Sequence, residues 1–276
     1  MSSARRRRRE LAAWQTPGDA ARAARLQADY LDAEQALQGL GIQHTIVVFG
    51  STRIREPVAA AAAVAAARAA LAADPDAAGL QRALQRAERL AHWSQYYDVA
   101  REFGAMVGRA GAEPGSCRTI IMTGGGPGIM EAANRGAFEA GARTAGLNIE
   151  LPHEQQPNAF LTPALSLRFH YFAIRKLHFM LRAKALVALP GGFGTLDELF
   201  ETLTLIQTHR MQHVPVILVG EAYWRRLLDA GFLADEGMID DEDRELFSYA
   251  ETAADIWRII VDWYRESGEE LFCDGD

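Results

Sequence analysis

The residues best suited to chemistry lie in one short stretch, Ala185–Glu198, which reads ALVALPGGFGTLDE. The uncharged apolar run Ala185–Leu189 is typical of a strand that is buried on both faces, and a proline and two glycines end it. A helix is predicted to begin at Thr195 and to hold Asp197 and Glu198 in its first turn. The sequence therefore predicts a strand, a glycine turn and a helix in succession.

This unit could bind an anion and place an acid beside it. Gly191, Gly192 and Gly194 allow a bound group to approach the backbone, and the N–H groups at a helix start favour an anion, most often a phosphate. The hydroxyl of Thr195 could add a further donor. A plain corner without a ligand is the alternative, but three glycines followed by the carboxylate of Glu198 favour binding.

Two further glycine-bearing corners follow predicted strands. Gly124–Gly128 comes after the strand Thr119–Met122, and Gly50 comes after the strand His44–Phe49. Neither glycine-rich turn has the spacing of the dinucleotide fingerprint, and no Gly-Lys-Ser/Thr run of a triphosphatase is present. The ligand that remains is a monophosphate or similar anion held by backbone amides.

The elements that must position these corners alternate between apolar strands and helices. This alternation predicts an α/β fold with a doubly wound, Rossmann-like parallel sheet, helices on both faces and extra N-terminal helices. Ligands of such sheets bind beyond the carboxyl ends of the strands, so the three corners should meet at one crevice. The later elements are predicted at Thr144–Ile149, Leu165–Phe169, Tyr171–Ala183, Val214–Val219, Ala222–Ala234, Phe247–Tyr249 and Ala253–Glu266.

The chain is predicted to divide into three parts. Residues 1–40 form a tail and one helix, and residues 41–266 form a single nucleotide-binding domain. An alanine-rich insertion at about 56–80 is predicted to be a peripheral helix, because alanine favours helices but buries little surface. Residues 79–110 read as a long amphipathic helix or a helix pair, and residues 267–276 as an acidic tail.

Composition limits the classes of protein that the chain can be. The 276 residues are 49% hydrophobic and 24% charged, and the net charge of −7 does not favour non-specific binding to nucleic acid. Cys117 and Cys273 are too few and too far apart to indicate disulfides or a zinc site. No apolar run is long enough to cross a membrane, and Arg5–Arg9 reads as a solvated tail. We expect a cytoplasmic protein.

The run PGGFGTLDE resembles the PGGxGTxxE motif of the LOG family, the cytokinin riboside 5′-monophosphate phosphoribohydrolases, which were long labelled "lysine decarboxylase-like". Every fixed position of the motif is filled. Gly124–Met130 resembles the family's GGGxxGxM run in the version of its longer members, with one residue fewer than the pattern after the third glycine. Arg175-Lys176 matches an Arg-Lys pair that the family carries before the central strand. The resemblance covers roughly Thr45–Val219, interrupted at residues 56–90.

This resemblance implies that the protein hydrolyses the N-glycosidic bond of nucleoside 5′-monophosphates, either cytokinin riboside 5′-monophosphate or AMP. It implies Arg175 and Glu198 as the catalytic pair, with the carboxylate stabilising an oxocarbenium-like state or activating water. A homodimer or larger homo-oligomer is implied, without a cofactor, metal, membrane or specific nucleic-acid partner. The implied substrate-binding residues are Gly50, Ser51, Gly124, Gly125, Gly126, Met130, Glu154, Lys176, Gly191, Gly192, Gly194, Thr195 and Thr204.

Other interpretations of the same residues remain open. Glu198 could serve only the helix dipole, and the fold could be that of a non-catalytic binding protein such as a molybdenum cofactor carrier. A lysine decarboxylase would need pyridoxal phosphate on Lys176 or Lys184, the only lysines in the chain. The segment LPHEQQPN, 151–158, is expected to lie over the pocket. His153, His170 and His178 read as structural, although His170 could line the pocket.

Overall fold

A computed structural model describes residues 19–111, 119–150 and 156–271 of the chain. Arg5–Arg9, Cys117, His153, Glu154, Cys273 and most of the expected pocket loop lie outside these residues. Seven strands form one sheet in the order β4-β3-β2-β1-β5-β6-β7, and every neighbouring pair is parallel. The strands are β1 (Thr45–Phe49), β2 (Ile120–Thr123), β3 (Thr144–Ile149), β4 (Ser166–Phe169), β5 (Ala183–Ala188), β6 (Val216–Val219) and β7 (Ser248–Ala250).

Ten α-helices lie in the described residues and connect or flank these strands. They are α1 (Asp19–Gly39), α2 (Pro57–Ala73), α3 (Leu80–His92), α4 (Gln95–Ala110), α5 (Ile129–Glu139), α6 (Phe172–Leu181), α7 (Phe193–Gln207), α8 (Glu221–Trp224), α9 (Ala230–Asp235) and α10 (Ala253–Ser267). Short 3₁₀ turns occur at Pro163–Leu165 and Asp241–Glu245. The predicted single helix Ala222–Ala234 is wrong: the structure has two short helices there, and the side chain of Asp229 caps the second.

Two cores cover the two faces of the sheet, as the uniformly apolar strands predict. In β1, Ile46 and Val48 join a core formed with α4, α5 and α10, whereas Val47 and Phe49 join a core formed with α1, α6 and α7. Alternate residues of a strand point to opposite faces, so a strand buried on both sides must be apolar throughout. The doubly wound fold is therefore confirmed.

The strand order has a switch point between β1 and β5, where successive strands begin to be added on the other side of β1. Strands β2, β3 and β4 extend the sheet on one side of β1, and β5, β6 and β7 extend it on the other. A crevice opens at the carboxyl ends of the strands at such a switch point. The corners after β1 and β5, which contain Gly50 and Gly191–Gly194, therefore lie side by side at the place where a ligand of this fold binds.

The alanine-rich segment is a helix, as predicted, and it pairs with α3 in a helical hairpin. Ala60 is its one buried residue, and Val58 is largely exposed. The division of the chain at residues 40 and 266 stays a proposal, which is supported by the single sheet built from residues between those limits.

Candidate functional site

A crevice of about 790 Å³ lies at the switch point of the sheet. All three glycine corners contribute to it, through Gly50, Gly124 and Gly191–Gly194. Of the residues singled out in the sequence, the crevice is lined by Gly50, Ser51, Gly124, Met130, Arg175, Gly191, Gly192, Gly194, Thr195 and Glu198.

Ser51 ties the three corners together through its backbone. Its N–H donates to the carbonyl of Pro190 at 2.9 Å, and its carbonyl accepts from the N–H of Ile129 at 3.1 Å. A side chain at Gly50 would overlap that of Ile129, which explains why this corner is a glycine. The backbone therefore fixes the crevice walls relative to one another before any ligand binds.

Helix α7 begins two residues earlier than its predicted start. Gly192 is the N-cap, Phe193 is the first helical residue, and both Asp197 and Glu198 lie beyond the first turn. Among the described residues, the amides of Phe193 and Gly194 donate to no backbone or side-chain acceptor, as expected at a helix start. Phe193 and Gly194 both line the crevice, and free amides at the start of a helix favour an anion.

The three glycines of this turn differ in whether the fold requires a glycine at their position. A Cβ atom at Gly191 would overlap the side chain of Thr195, so the fold itself requires that glycine. A Cβ atom at Gly192 or Gly194 would meet nothing within 4 Å, and Gly192 has a φ of −98°, which any residue can adopt. Neither the packing nor the backbone of the described chain requires these two glycines. The open space beside them is available to a ligand.

The side chains of Arg175 and Glu198 form an ion pair inside the crevice. The Arg175 Nη2 atom lies 2.8 Å from Oε1 of Glu198, and the two side chains are 12% and 2% exposed. The second carboxylate oxygen, Oε2 of Glu198, is buried and has no hydrogen-bond partner among the described residues, and neither has Nε of Arg175. Buried polar atoms are almost always paired, so these two atoms can each hydrogen-bond a ligand or a water in the crevice.

Burial raises the pKa of Glu198 to about 7, against the opposing effect of the Arg175 guanidinium and the ammonium of Lys176. Removal from water penalises the charged carboxylate, and the neighbouring Asp197 and Glu201 add to that penalty. A carboxyl group that titrates near neutrality can exchange a proton with a substrate or water under ordinary conditions.

Two aromatic rings hold the guanidinium of Arg175. Its Cζ atom lies 4.9 Å from the centre of the Phe172 ring and 5.5 Å from that of the Phe179 ring. Phe179 is fully buried and packs edge-on against Phe49 at the end of β1. Cation–π contacts of this kind orient the planar fork of donors.

The second glycine turn is held by a buried network of polar side chains. The Gly125 N–H donates to Oγ1 of Thr123 at 2.9 Å, and Thr123 donates to Oδ1 of Asn134 at 2.7 Å. The Asn158 amide donates to the carbonyls of Gly125 and Gly126 at 3.2 and 3.1 Å. These bonds make Gly125 and Gly126 supports of the turn, and neither residue lines the crevice.

Lys176 and Thr204 do not line the crevice either. The Lys176 Nζ atom lies 2.8 Å from both Asp197 and Glu201, and the exposed Thr204 donates to the carbonyl of Phe200 in its own helix. Their proposed substrate contacts stay predictions without support from this geometry.

His170 lies outside the crevice lining and pairs with Asp29 and Glu150. His178 is buried beside the Ile174 carbonyl, as its structural interpretation predicts. Lys184 contacts the carbonyl of Glu270 and the ring of Tyr264. Neither of the chain's two lysines is therefore placed at the crevice.

Several residues that line the crevice were not among the site residues predicted from the sequence. Arg53 follows the first glycine corner, Trp93 follows α3, and Tyr223 follows β6, and all three line the crevice. The hydroxyl of Tyr223 donates to the carbonyl of Gly191. Arg53 could have been found from its place two residues after Ser51, whereas the other two depend on how distant helices pack.

Fold and site together define a class of protein. An all-parallel, doubly wound sheet places the start of one helix and a buried carboxyl group at its switch point, next to a guanidinium. This arrangement defines a Rossmann-like α/β protein with a crevice suited to a phosphate-bearing ligand.

Comparison with known proteins narrows this class. The family model described as "Possible lysine decarboxylase" matches residues 130–260. A probable cytokinin riboside 5′-monophosphate phosphoribohydrolase of Oryza sativa subsp. japonica is 31% identical over 143 residues, covering 50% of this chain and 56% of the relative. A cytokinin riboside 5′-monophosphate phosphoribohydrolase of Arabidopsis thaliana is 26% identical over 147 residues, covering 52% of this chain and 68% of the relative. The chain is therefore similar in sequence to phosphoribohydrolases of the LOG family, as its motifs indicated.

The aligned part spans little more than half of the rice protein. Among solved structures, the molybdenum cofactor carrier protein of Chlamydomonas reinhardtii is 18% identical, with a TM-score of 0.44 over 82% of this chain and 99% of the other. No helix in the described part of the chain has the length and apolar character to cross a membrane. Oligomeric state and cellular compartment stay predictions.

Proposed function

We propose that this protein hydrolyses the N-glycosidic bond of nucleoside 5′-monophosphates. The observation that carries the proposal is the buried Arg175–Glu198 pair, which has two unpaired polar atoms and lines the same crevice as a helix start with free amides. Glu198 lies five residues after Phe193, and five residues rise about 7.5 Å along a helix axis. This separation is comparable with the length of a ribose phosphate.

The phosphate binds the amides of Phe193 and Gly194, where the helix dipole and the open space beside Gly192 favour an anion. The ribose lies against Arg175 and Glu198. The base extends towards Gly124 and Met130, because α6, which holds Arg175, packs on the β3–β4 side of the sheet.

In the reaction, a water oxygen forms a bond to C1′ of the ribose as the bond from C1′ to the base nitrogen breaks. The electron pair of the broken bond stays on the base, which takes up a proton from the solvent. The Glu198 carboxylate accepts a proton from the attacking water and returns it to the solvent after the reaction. The products are the free base and ribose 5-phosphate. The negative charge of Glu198 also stabilises the oxocarbenium-like transition state, and Arg175 holds the carboxylate in place.

The deciding experiment is an assay of base release from a panel of nucleotides. AMP and N6-prenylated AMP are incubated with the purified protein, and free base and ribose 5-phosphate are quantified by chromatography. Adenosine, which lacks the phosphate, serves as the control and should not be cleaved at a comparable rate. Binding of AMP without any base release from the panel would contradict the proposal and favour a non-catalytic nucleotide-binding protein.

Alanine at Gly192 or Gly194 is expected to weaken AMP binding without destabilising the protein. Each Cβ would project into the open space beside the anion site, and losing one or two hydrogen bonds to a charged group lowers affinity by about 10- to 100-fold. Gly194 lies inside α7, where alanine is better than glycine by roughly 0.5–1 kcal/mol. Titration calorimetry with AMP and thermal melts measure the two effects.

Gly39→Ala is the matched control, because a Cβ there also meets open space but lies outside the crevice. It should leave AMP binding unchanged. If Gly192→Ala and Gly194→Ala bind AMP as tightly as the wild type, the turn is a plain structural corner and the phosphate lies elsewhere.

A further inference from the structure

The anion-binding turn lies in the middle of the crevice. Strand β5, which it follows, has β1 on one side and β6 on the other. Ser51, Gly124 and Asn148 line the crevice from the ends of β1, β2 and β3, whereas Tyr223 and Leu227 line it from beyond the end of β6. A nucleoside monophosphate has its phosphate at one end, so a molecule anchored at the turn with its base towards Gly124 occupies only the first of these sides.

The other side, which we call the β6 compartment, is lined by Leu90, Trp93, Tyr223 and Leu227. None of these four side chains is charged, and Leu227 is 46% exposed. The Trp93 and Tyr223 rings meet edge to face with their centres 5.5 Å apart, and the Tyr223 hydroxyl donates to the carbonyl of Gly191. The compartment is therefore apolar, aromatic and directly joined to the anion-binding turn.

Two walls of different origin enclose this compartment. Leu90 and Trp93 come from the end of the helical hairpin and pack against the core on one face of the sheet, whereas Tyr223 packs against the core on the other face. Both residues also lie outside residues 130–260, the range that the family model matches. The compartment thus depends on a part of this chain that the matched family region does not include.

We propose that the β6 compartment binds a planar aromatic group joined to the nucleotide's phosphate, so that the crevice also accepts aromatic phosphodiesters of nucleoside 5′-monophosphates. A diester keeps one negative charge for the free amides of Phe193 and Gly194, and its second substituent reaches Trp93 and Tyr223. Stacking and edge contacts with aromatic residues suit such a group. The crevice volume of about 790 Å³ lies in the upper half of the range of about 300–1,000 Å³ for small-molecule sites. This inference rests on the proposed function for the position of the phosphate.

Binding of three ligands tests the proposal without requiring turnover. The ligands are AMP, adenosine 5′-(methyl phosphate) and adenosine 5′-(phenyl phosphate), and their affinities are measured by titration calorimetry. The two esters carry the same charge, so their ratio isolates the aromatic group. We expect the wild type to bind the phenyl ester about 5- to 100-fold more tightly than the methyl ester.

Trp93→Ala and Leu227→Ala should remove most of that preference and leave the affinity for AMP within about twofold. Leu227 is exposed, so its variant keeps the test valid if Trp93→Ala does not fold. Phe138→Ala removes an exposed aromatic side chain that does not line the crevice, and it should preserve the preference.

Equal affinity for the two esters in the wild type would overturn the proposal, and so would the absence of ester binding. An equal loss for all three ligands in Trp93→Ala and in Leu227→Ala would also overturn it, because the residues would then only support the turn. Cleavage of AMP without discrimination between the esters refutes the compartment and leaves the proposed function standing. If the protein discriminates between the two esters but releases no base from any nucleotide, the β6 compartment is supported and the proposed hydrolysis is refuted.

Discussion

Replacing Glu198 with Gln is expected to lower kcat for base release by about 10²–10⁴-fold, the usual contribution of a positioned acid–base group. The amide keeps the size of the side chain and can still contact Arg175, but it has no charge to stabilise the transition state and cannot accept a proton from water. The affinity for AMP should change little, because the proposed phosphate site is formed by the amides at the start of α7, five residues earlier. Single-turnover kinetics and titration calorimetry separate the two effects.

Asp197→Asn is the matched control for this substitution. Asp197 is the adjacent carboxylate, is half-exposed, pairs with Lys176 and does not line the crevice. Its variant should keep kcat within about threefold. If Glu198→Gln retains wild-type turnover, the carboxylate does not take part in the chemistry and serves only to pair with Arg175.

The raised pKa of Glu198 predicts how activity depends on pH. The ionised carboxylate is the form that accepts a proton, so kcat/KM of the wild type should rise with pH through an apparent pKa of about 7. The residual activity of Glu198→Gln should lack this rising limb. A wild-type profile that falls through the same pH range would contradict the assignment, because Glu198 would then act in its protonated form.

The same pKa shift makes a separate contribution to stability. The carboxyl group has a folded pKa of about 7 and an unfolded pKa of 4.5, so the folded state binds the proton more tightly. This stabilisation is fully present below pH 4.5 and is lost as the pH rises through 7. The difference amounts to roughly 2–4 kcal/mol. We therefore expect the difference in free energy of unfolding between the wild type and Glu198→Gln to become less favourable to the wild type as the pH rises from 4.5 to 7.

Much of the fold could be predicted from the sequence because apolar strands and glycine corners are local signals. Thr144–Ile149 reads as a strand and is one, and the three glycine corners meet where the parallel sheet requires. The predicted start of the helix after Gly192 is two residues late, because the side chains of Phe193 and Gly194 carry no helix-start signal. Helix α7 starts there because the chain turns at Pro190.

The candidate site was predictable where it depends on one segment and not where it depends on packing. The proximity of Glu198 to the glycine turn follows from the sequence, but its contact with Arg175 at 2.8 Å depends on how α6 and α7 pack on the sheet. Trp93 reaches the crevice because the end of the α2–α3 hairpin packs against the core formed with α4, α5 and α10, and no local pattern reveals that. Thr204 was predicted to contact the substrate and lies in the same helix as Glu198, but its side chain faces the solvent.

Replacing Arg175 with Met is expected to destabilise the protein by about 3–5 kcal/mol at pH 8, because the buried Glu198 carboxylate loses its cation. Met fills much of the space between Phe172 and Phe179, so the loss is mainly electrostatic. At pH 5 the cost should be much smaller. Arg175 lowers the pKa of Glu198, so its removal raises that pKa further and leaves the carboxyl group protonated and neutral at pH 5.

Urea denaturation of four proteins at pH 5 and pH 8 checks this expectation: the wild type, Arg175→Met, Glu198→Gln and the double variant. The double variant should be more stable than Arg175→Met at pH 8, because it contains no unpaired buried charge. Arg182→Met is the control for activity, since Arg182 forms a similarly buried pair with Glu34 but does not line the crevice. It should lose stability and keep its kcat, whereas Arg175→Met should lose both. An equal loss of stability at the two pH values in Arg175→Met, with no recovery in the double variant, would show that the guanidinium does not hold Glu198 in its charged form.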